Sequence, residues 1–554
     1  MLGKKIVSFA LYSEGFFKNM LSGRFAAFMF FTKILEKKFL FRKCRLLPVI
    51  LLLLSLSSSL PALSFGAVLY VKENAPAPGD GTTWQTAFPD LQQALEIPGA
   101  NEIWVSQGNY KPSKRTYEEN PRTATFSLRN GQTLYGGFQG TETFRNQRNW
   151  KKYPSVLEGD LGISGDISDN CYHVVTLNGA DETVLLDGFV LTRGNADGTG
   201  ELYRNGGGLA ATGGAPSVRN CTFIANRAAS CGGGVYANNS DILLENCTFL
   251  ENSAYNGGGV YSLHSASRIE KSTFASNIVQ GNGGGMMTFT SFSRITNCTF
   301  WKNRAPNGYG GGFHGFDDNP VLCNVTFAEN TAKLGGGGMS FAEGTSVVVN
   351  SISWGNSVTS GAPEATEIFT QNVLFLISSC AIRGGFTESL NTVLSDPELG
   401  ELGDNGGGTQ TCALSGDSSA RKTGLNPGEH LLLGKIISVP EEDQRGMPRP
   451  PHIAADIGSY QFVPTPTAVP TPTSVPTPTN IPTLTCTPEP ISPSPASKPT
   501  VTSVPVASPF PTENPFPSQT PAPEAKSRKQ TGGCATAFFP GAFLLALPLV
   551  LLTK

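Results

Sequence analysis

The sequence predicts an all-β protein, a right-handed parallel β-helix with coils of about 26 residues. Two recurring motifs and one shared period predict it. Asn220-Cys-Thr-Phe223, Asn246-Cys-Thr-Phe249, Lys271-Ser-Thr-Phe274, Asn297-Cys-Thr-Phe300 and Asn324-Val-Thr-Phe327 place Phe223, Phe249, Phe274, Phe300 and Phe327 at steps of 26, 25, 26 and 27 residues. Trp354 continues the series, and three residues after each Phe stand Asn226, Asn252, Asn277, Asn303 and Asn330. Three glycines followed by an apolar residue end at Leu209, Val235, Val260, Met286, Phe313 and Met339, on the same period. Two motifs locked to one period mark a repeat architecture.

Glycine triplets and β-branched residues disfavour helical repeats and suit short strands separated by turns. Cys221 and Phe223 sit two apart and point inward together. Val218, Leu244, Ile269, Ile295 and Leu322 lie five before their Phe, an odd spacing that one strand cannot bury. The chain must therefore turn a corner near the intervening Asn, and glycine supplies positive φ at other corners. Stacked in register at about 4.8 Å, such coils give a buried Phe column and an internal Asn ladder satisfying turn carbonyls. The expected organisation is 67–187 for the N-terminal cap and first coils, 188–390 for the repeats and 391–462 for a C-terminal cap. Leu91, Ala94 and Leu95 are spaced for an amphipathic capping helix, and Asp443, Arg445, Arg449 and Asp456 are expected to close the other end with charge pairs.

The flanks read as targeting devices. Residues 1–66 carry a basic stretch, then an apolar run from Leu46 to Leu56, and a cleavage site at Ser64-Phe-Gly66 or Leu60-Pro-Ala62. This is a secretory signal with a long leader; Met20 and Met29 are alternative starts, and a retained anchor is the competing reading. Residues 463–526 open with VPTPTA, VPTPTS and VPTPTN, a disordered, proline-rich stalk reaching roughly 190 Å at about 3.1 Å per residue. Residues 527–554 hold Gly532-Gly533-Cys534 and an apolar tail, Ala535 to Leu552. That tail resembles the Synerg-CTERM and MYXO-CTERM classes of bacterial sorting signals. The resemblance implies a membrane partner through the tail, a sorting or processing protease, and attachment or cleavage at Cys534.

Gly-Gly-x-apolar with Phe-x-x-Asn resembles the repeats of polymorphic outer-membrane proteins, within the pectin-lyase-like superfamily. Leu69-Tyr-Val71, Glu102-Ile-Trp-Val105, Gly108-Asn-Tyr110, Leu134-Tyr-Gly-Gly-Phe138, Gly403-Asp-Asn-Gly-Gly407, Asp443-Gln-Arg-Gly446 and Asp456-Ile-Gly-Ser-Tyr460 resemble the choice-of-anchor Q proteins. That resemblance covers about residues 68–462 and departs from the group between Ser415 and Gly424.

The 41 basic and 43 acidic side chains leave a net charge of -2, which argues against a nucleic-acid partner. No C-x-x-C or H-E-x-x-H occurs, so no metal site is expected, and Cys221, Cys247 and Cys298 share a register as small buried apolar residues. No cofactor is expected, except that Glu158, Asp160, Asp166 and Asp169 form either a weak calcium site or a solvated loop. Asp317 and Asp318 beside His314 are the best local catalytic cluster, with solvated turn residues as the competing reading.

Counting from the apolar residue after each glycine triplet, the next position holds Ala210, Tyr236, Tyr261, Met287, His314 and Ser340. Four positions along lie Gly213, Asn239, His264, Thr290, Asp317 and Glu343. These predict two surface columns, one partly aromatic and one polar, suited to a glycan or other surface ligand. Tyr236, Tyr261, His264, Asn239, Asp317 and Glu343 are the expected contacts; ordinary surface decoration is the competing reading. The predicted function is an exported, envelope-displayed binding or adhesion module. A polysaccharide lyase or glycoside hydrolase is the alternative.

Overall fold

The computed structural model describes residues 68–464, apart from 100–101, 361–365, 388 and 433. The secretory signal, the stalk and the tail with Cys534 lie outside the described residues.

The chain winds as a parallel β-helix. One coil shows the plan: strands Val235–Asn238, Leu243–Glu245, Thr248–Leu250 and Ser253–Ala254 each pair in parallel with their counterparts one coil on. The third strand recurs in a ten-stranded sheet from Gly108–Tyr110 to Ala381–Ile382, so ten coils are stacked. Val218 lies on Ser217–Arg219 and Phe223 on Thr222–Ile224, and Asn220 between them turns the corner at φ 52°.

Each of the six coils from Gly206 to Gly355 bends at four left-handed corners. In one coil these are Gly232, Asn239, Asn246 and Glu251, with φ of 68, 51, 56 and 55°. The glycine triplets differ from the expectation in one respect. Only the first glycine of each adopts positive φ; the second and third are required because the coils pack backbone to backbone. A Cβ at Gly258 or Gly259 would lie 2.4 or 2.7 Å from the carbonyl oxygen of Gly284 or Gly285 in the next coil.

The core is built of parallel columns of side chains, one residue per coil in each. Phe223, Phe249, Phe274, Phe300 and Phe327 are fully buried, with successive ring centroids 5.0, 4.6, 4.4 and 4.7 Å apart and planes within 17°. Beside them the amides of Asn226, Asn252, Asn277, Asn303, Asn330 and Asn356 form a continuous ladder. Each Nδ2 donates to the Oδ1 of the next coil at 2.8–3.1 Å. The other Nδ2 proton goes to a carbonyl of the preceding coil, as from Asn277 to Phe249 O at 2.9 Å, and each Oδ1 also accepts the previous Asn backbone N–H. Both donors and the acceptor are thus used, as burial demands. The ladder ends at Glu367, whose carboxylate accepts from Asn356 Nδ2 at 2.6 Å and from the Ser353 hydroxyl at 3.0 Å.

Leu91–Glu96 is the α-helix of the described residues, with Asp90 accepting from Gln92 N and Leu91, Ala94 and Leu95 packed in the core. The C-terminal segment departs from the expected end closure. It runs back along the side of the stack, because the outward threonines of the third strand offer a row of hydroxyls at coil spacing. Gln444 accepts from Thr299 Oγ1 at 2.7 Å and donates to Thr273 Oγ1 at 2.8 Å, and Ser459 meets Thr326 at 3.1 Å. Lys151 Nζ, several coils earlier, donates to Gly407 O at 2.8 Å. Asp443 and Arg445 do pair, at 2.7 Å; Arg449 instead donates to the carbonyls of Asp456 and Gly458, both at 2.8 Å. The hairpin of Gly428–Leu432 and Lys435–Val439 lays Ile437 and Val439 against Cys323, Val347 and Val349.

Candidate functional site

His314, Asp317 and Asp318 do not converge. Phe313 and Gly315 face the core, so His314 faces outward, in line with Met287 of the neighbouring coil. It is only 3 % exposed, its Nδ1 lies 3.2 Å from Ser340 Oγ, and burial pushes its pKa down to about 4, leaving it neutral. Asp317 is the left-handed corner residue, φ 46°, and is exposed. Asp318 turns inward beside Thr288, where burial lifts its pKa to about 7 and its Oδ1 accepts from Asn319 N. One corner between them separates a neutral histidine from a buried acid.

The first column also differs from its expected exposure. Tyr236 and Tyr261 are 8 and 3 % exposed, their rings 5.9 Å apart, and they pack with Cys231 and Met287. They are not an open stacking platform. The accessible apolar side chains stand two residues further along the same strand, at Leu263 and at the rings of Phe289 and Phe316, all half-buried. Phe289 and Phe316 stack at 5.4 Å with planes 8° apart, and Phe292, just past the corner, is 65 % exposed. Counting the register two positions on would have found them.

The polar column is the corner itself. Gly213, Asn239, His264, Thr290, Asp317 and Glu343 all have φ between 46 and 71°. Asn239, His264, Asp317 and Glu343 are exposed. A left-handed hinge swings each side chain away from the coil, one per coil at a spacing of about 4.8 Å.

A second concave region lies between the next corner and the C-terminal segment. Asp187, Arg219, Glu245 and Lys271 from successive coils, with Gln444 and Arg445 opposite, line a cleft of about 320 Å³. Asp187 is buried against Arg148 at 2.7 Å, whereas Arg219 and Glu245 form a half-exposed pair at 3.2 Å. Gly408 seats on Asn246, whose side chain leaves no room for a Cβ. Sequence reading missed this cleft because Gln444 and Arg445 are about 170 to 260 residues from Lys271, Glu245, Arg219 and Asp187 in the chain.

The acidic loop is internally occupied. Arg193 bridges Glu158 at 2.8 Å and Asp160 at 3.1 Å; Asp169 accepts from Ile163 N at 2.6 Å and Asp166 from Ser168 N at 2.8 Å. Among the described residues no group of three or more His, Cys, Asp or Glu is arranged to hold a metal ion. Cys221, Cys247 and Cys298 are buried free thiols, and burial pushes their pKa values up. Each sulfur donates to carbonyls at its corner, as from Cys221 to Arg219 O at 3.1 Å.

These features define a β-solenoid scaffold that presents one polar group and, along part of its length, one aromatic ring per coil on an outer edge. A family profile described as "Right handed beta helix region" matches residues 202–382, the stretch that forms the regular coils of the parallel β-helix. Nothing among curated proteins matches the chain. Among solved structures, a rhamnogalacturonan lyase is 12 % identical over 60 % of this chain and 85 % of its own, with a TM-score of 0.31. The crystal structure of pectate lyase Pel9A is 13 % identical over 71 % of this chain and 96 % of its own, with a TM-score of 0.35.

Proposed function

We propose that this protein is an exported β-helix displayed at the cell envelope, binding polysaccharide or another surface ligand along its outer corner. The observation that carries the reading is the row of exposed Asn239, His264, Asp317 and Glu343 along the corner, with the rings of Phe289 and Phe316 on two of its coils and Phe292 just past it. Hydrogen-bonding groups next to aromatic faces suit sugars, whose rings have apolar faces and hydroxyl rims. The scaffold holds these groups on paired strands or at the corners beside them, which limits the entropy lost on binding. Leu91–Glu96 acts as a cap on the first coil, where open backbone would invite end-to-end pairing. Export, the stalk and anchoring through residues 527–554 and Cys534 rest on the sequence.

Binding of the full chain to immobilised polysaccharides tests this reading. Replacing Phe289 and Phe316 together by Ala is expected to weaken binding at least about tenfold, by loss of two stacking faces; unchanged binding would overturn it. Deleting Gly532–Lys554 is expected to release the protein into the medium, and identical partitioning would sink the anchor. Cys534→Ala then separates attachment at the thiol from a plain apolar tail. The enzyme alternative rests on the cleft that brings the carboxylates of Asp187 and Glu245 together with Arg219 and Lys271. Depolymerisation that Glu245→Gln abolishes would favour it.

A further inference from the structure

The acidic loop follows strand Ser155–Glu158, and its two ends meet: Cys171 N donates to Gly159 O at 2.8 Å. Asp160 opens the loop, and Asp169 and Asn170 close it, so all three stand at its throat. The loop's own bonds use one polar atom of each. Asp160 Oδ2 accepts from Arg193 and Gly165 N, Asp169 Oδ2 accepts from Ile163 N, and Asn170 Nδ2 donates to Arg193 O at 2.7 Å. The remaining oxygen of each, Oδ1, is buried and has no hydrogen-bond partner. Asp160 and Asn170 are only 1 and 4 % exposed. A buried carboxylate oxygen left in this way is unfavourable unless a bound group offsets its lost hydration.

We propose that the throat binds one calcium ion through Asp160 Oδ1, Asp169 Oδ1 and Asn170 Oδ1, with water completing the shell. The donors and the charge both argue for this occupant. It is a set of two carboxylates and one amide rather than three acids, and all three donors are oxygens, which suit a hard cation and not zinc or copper. Glu158, Asp160, Asp166 and Asp169 face two bases: Arg193, which bridges Glu158 and Asp160, and Lys111, 3.9 Å from Asp160 Oδ1. Arg122 close by is matched by Asp197. The excess is two negative charges, or one if Arg227, on the surface beyond Ile167, is counted. Either count selects a cation. Calcium tolerates an irregular, partly hydrated oxygen set, whereas magnesium keeps its own water shell. With two carboxylates the affinity falls among those of extracellular calcium modules, at about 0.1–1 mM. The ion would tie the two ends of the loop together, and this holds whether or not the corner binds a glycan.

The test is equilibrium dialysis and thermal unfolding of the full chain, stripped with EDTA, against CaCl2 and MgCl2 at constant ionic strength. Calcium is expected to raise the Tm as its concentration passes the dissociation constant, and magnesium to do so much less. Asp169→Asn, whose amide oxygen can still accept from Ile163 N, is expected to weaken calcium binding at least about tenfold. Asp166→Asn, in the same loop but with its carboxylate on Ser168 N, is expected to leave binding within about twofold. No calcium response from the wild type, or an equal response to magnesium, overturns the site without any variant. Calcium binding kept in Asp169→Asn, with circular dichroism showing it folded, overturns it too. Equal losses in the two variants would mean diffuse loop charge, and that also overturns it.

Discussion

Asp318 shows what one inward turn does to a side chain. Its neighbour Asp317 meets solvent, while burial lifts the Asp318 carboxyl from 3.8 to about 7. The unfolded chain releases this proton near pH 4 and the folded chain holds it to about pH 7. Folding therefore binds a proton across that window, and stability falls as pH rises through it. Asp318→Asn is expected to stabilise the fold by about 4 kcal/mol at pH 8 and to leave it unchanged at pH 3. Thermal unfolding at the two pH values checks this; an equal gain at both would mean that packing, rather than charge burial, is responsible. Glu367 acts in the same direction, its pKa raised by burial. Neither effect was legible in the sequence, where Asp317 and Asp318 are simply adjacent acids.

Strands and corners were the legible level. Phe and Gly triplets recur because each coil repeats the same contacts, and a repeated contact leaves a repeated letter. The corner was legible from the odd spacing between Val218 and Phe223, since one strand cannot bury both. The conformation of the preceding corner was less legible, because Thr290 and Glu343 carry no left-handed signature, although His264 and Asp317 are types enriched there. Stacking holds them there at some cost, and the same bend recurs in coil after coil. Strain that recurs in this way belongs to the architecture rather than to a site. The glycines make the complementary case. Gly259→Ala is expected to lower the Tm markedly, since the new Cβ meets Gly285 O at 2.7 Å and the Phe274 ring at 2.9 Å. Gly355→Ala, at a corner with nothing within 4 Å, should cost only its left-handed backbone, about 1–2 kcal/mol. Equal losses in the two would discount coil-to-coil contact as the reason for the triplets.

At the scale of the molecule, long-range closure decides what the sequence conceals. Gln444 joins Thr273 and Thr299 on neighbouring coils, contacts between residues 171 and 145 positions apart that no local pattern announces. Gln444→Ala removes one hydrogen bond from each of buried Thr273 and Thr299, which keep Gln410 O and Ser459 Oγ as partners, at about 0.5–1.5 kcal/mol per bond. Limited proteolysis is expected to cut the C-terminal segment faster in that variant while the coils stay intact. Cleavage at the wild-type rate would mean that the segment is held by other contacts. One further consequence lies in the amide ladder. Each asparagine passes a donor forward and receives one from behind, so the column has a direction, like a sentence read one way. A run of identical words has no natural end. Glu367 accepts the last donor and has no N–H of its own to hand on, so it works as the full stop. The asparagine register one coil on falls at Gly385, and the closing acceptor reaches the column from Glu367, which stands where the coil before has Gly338.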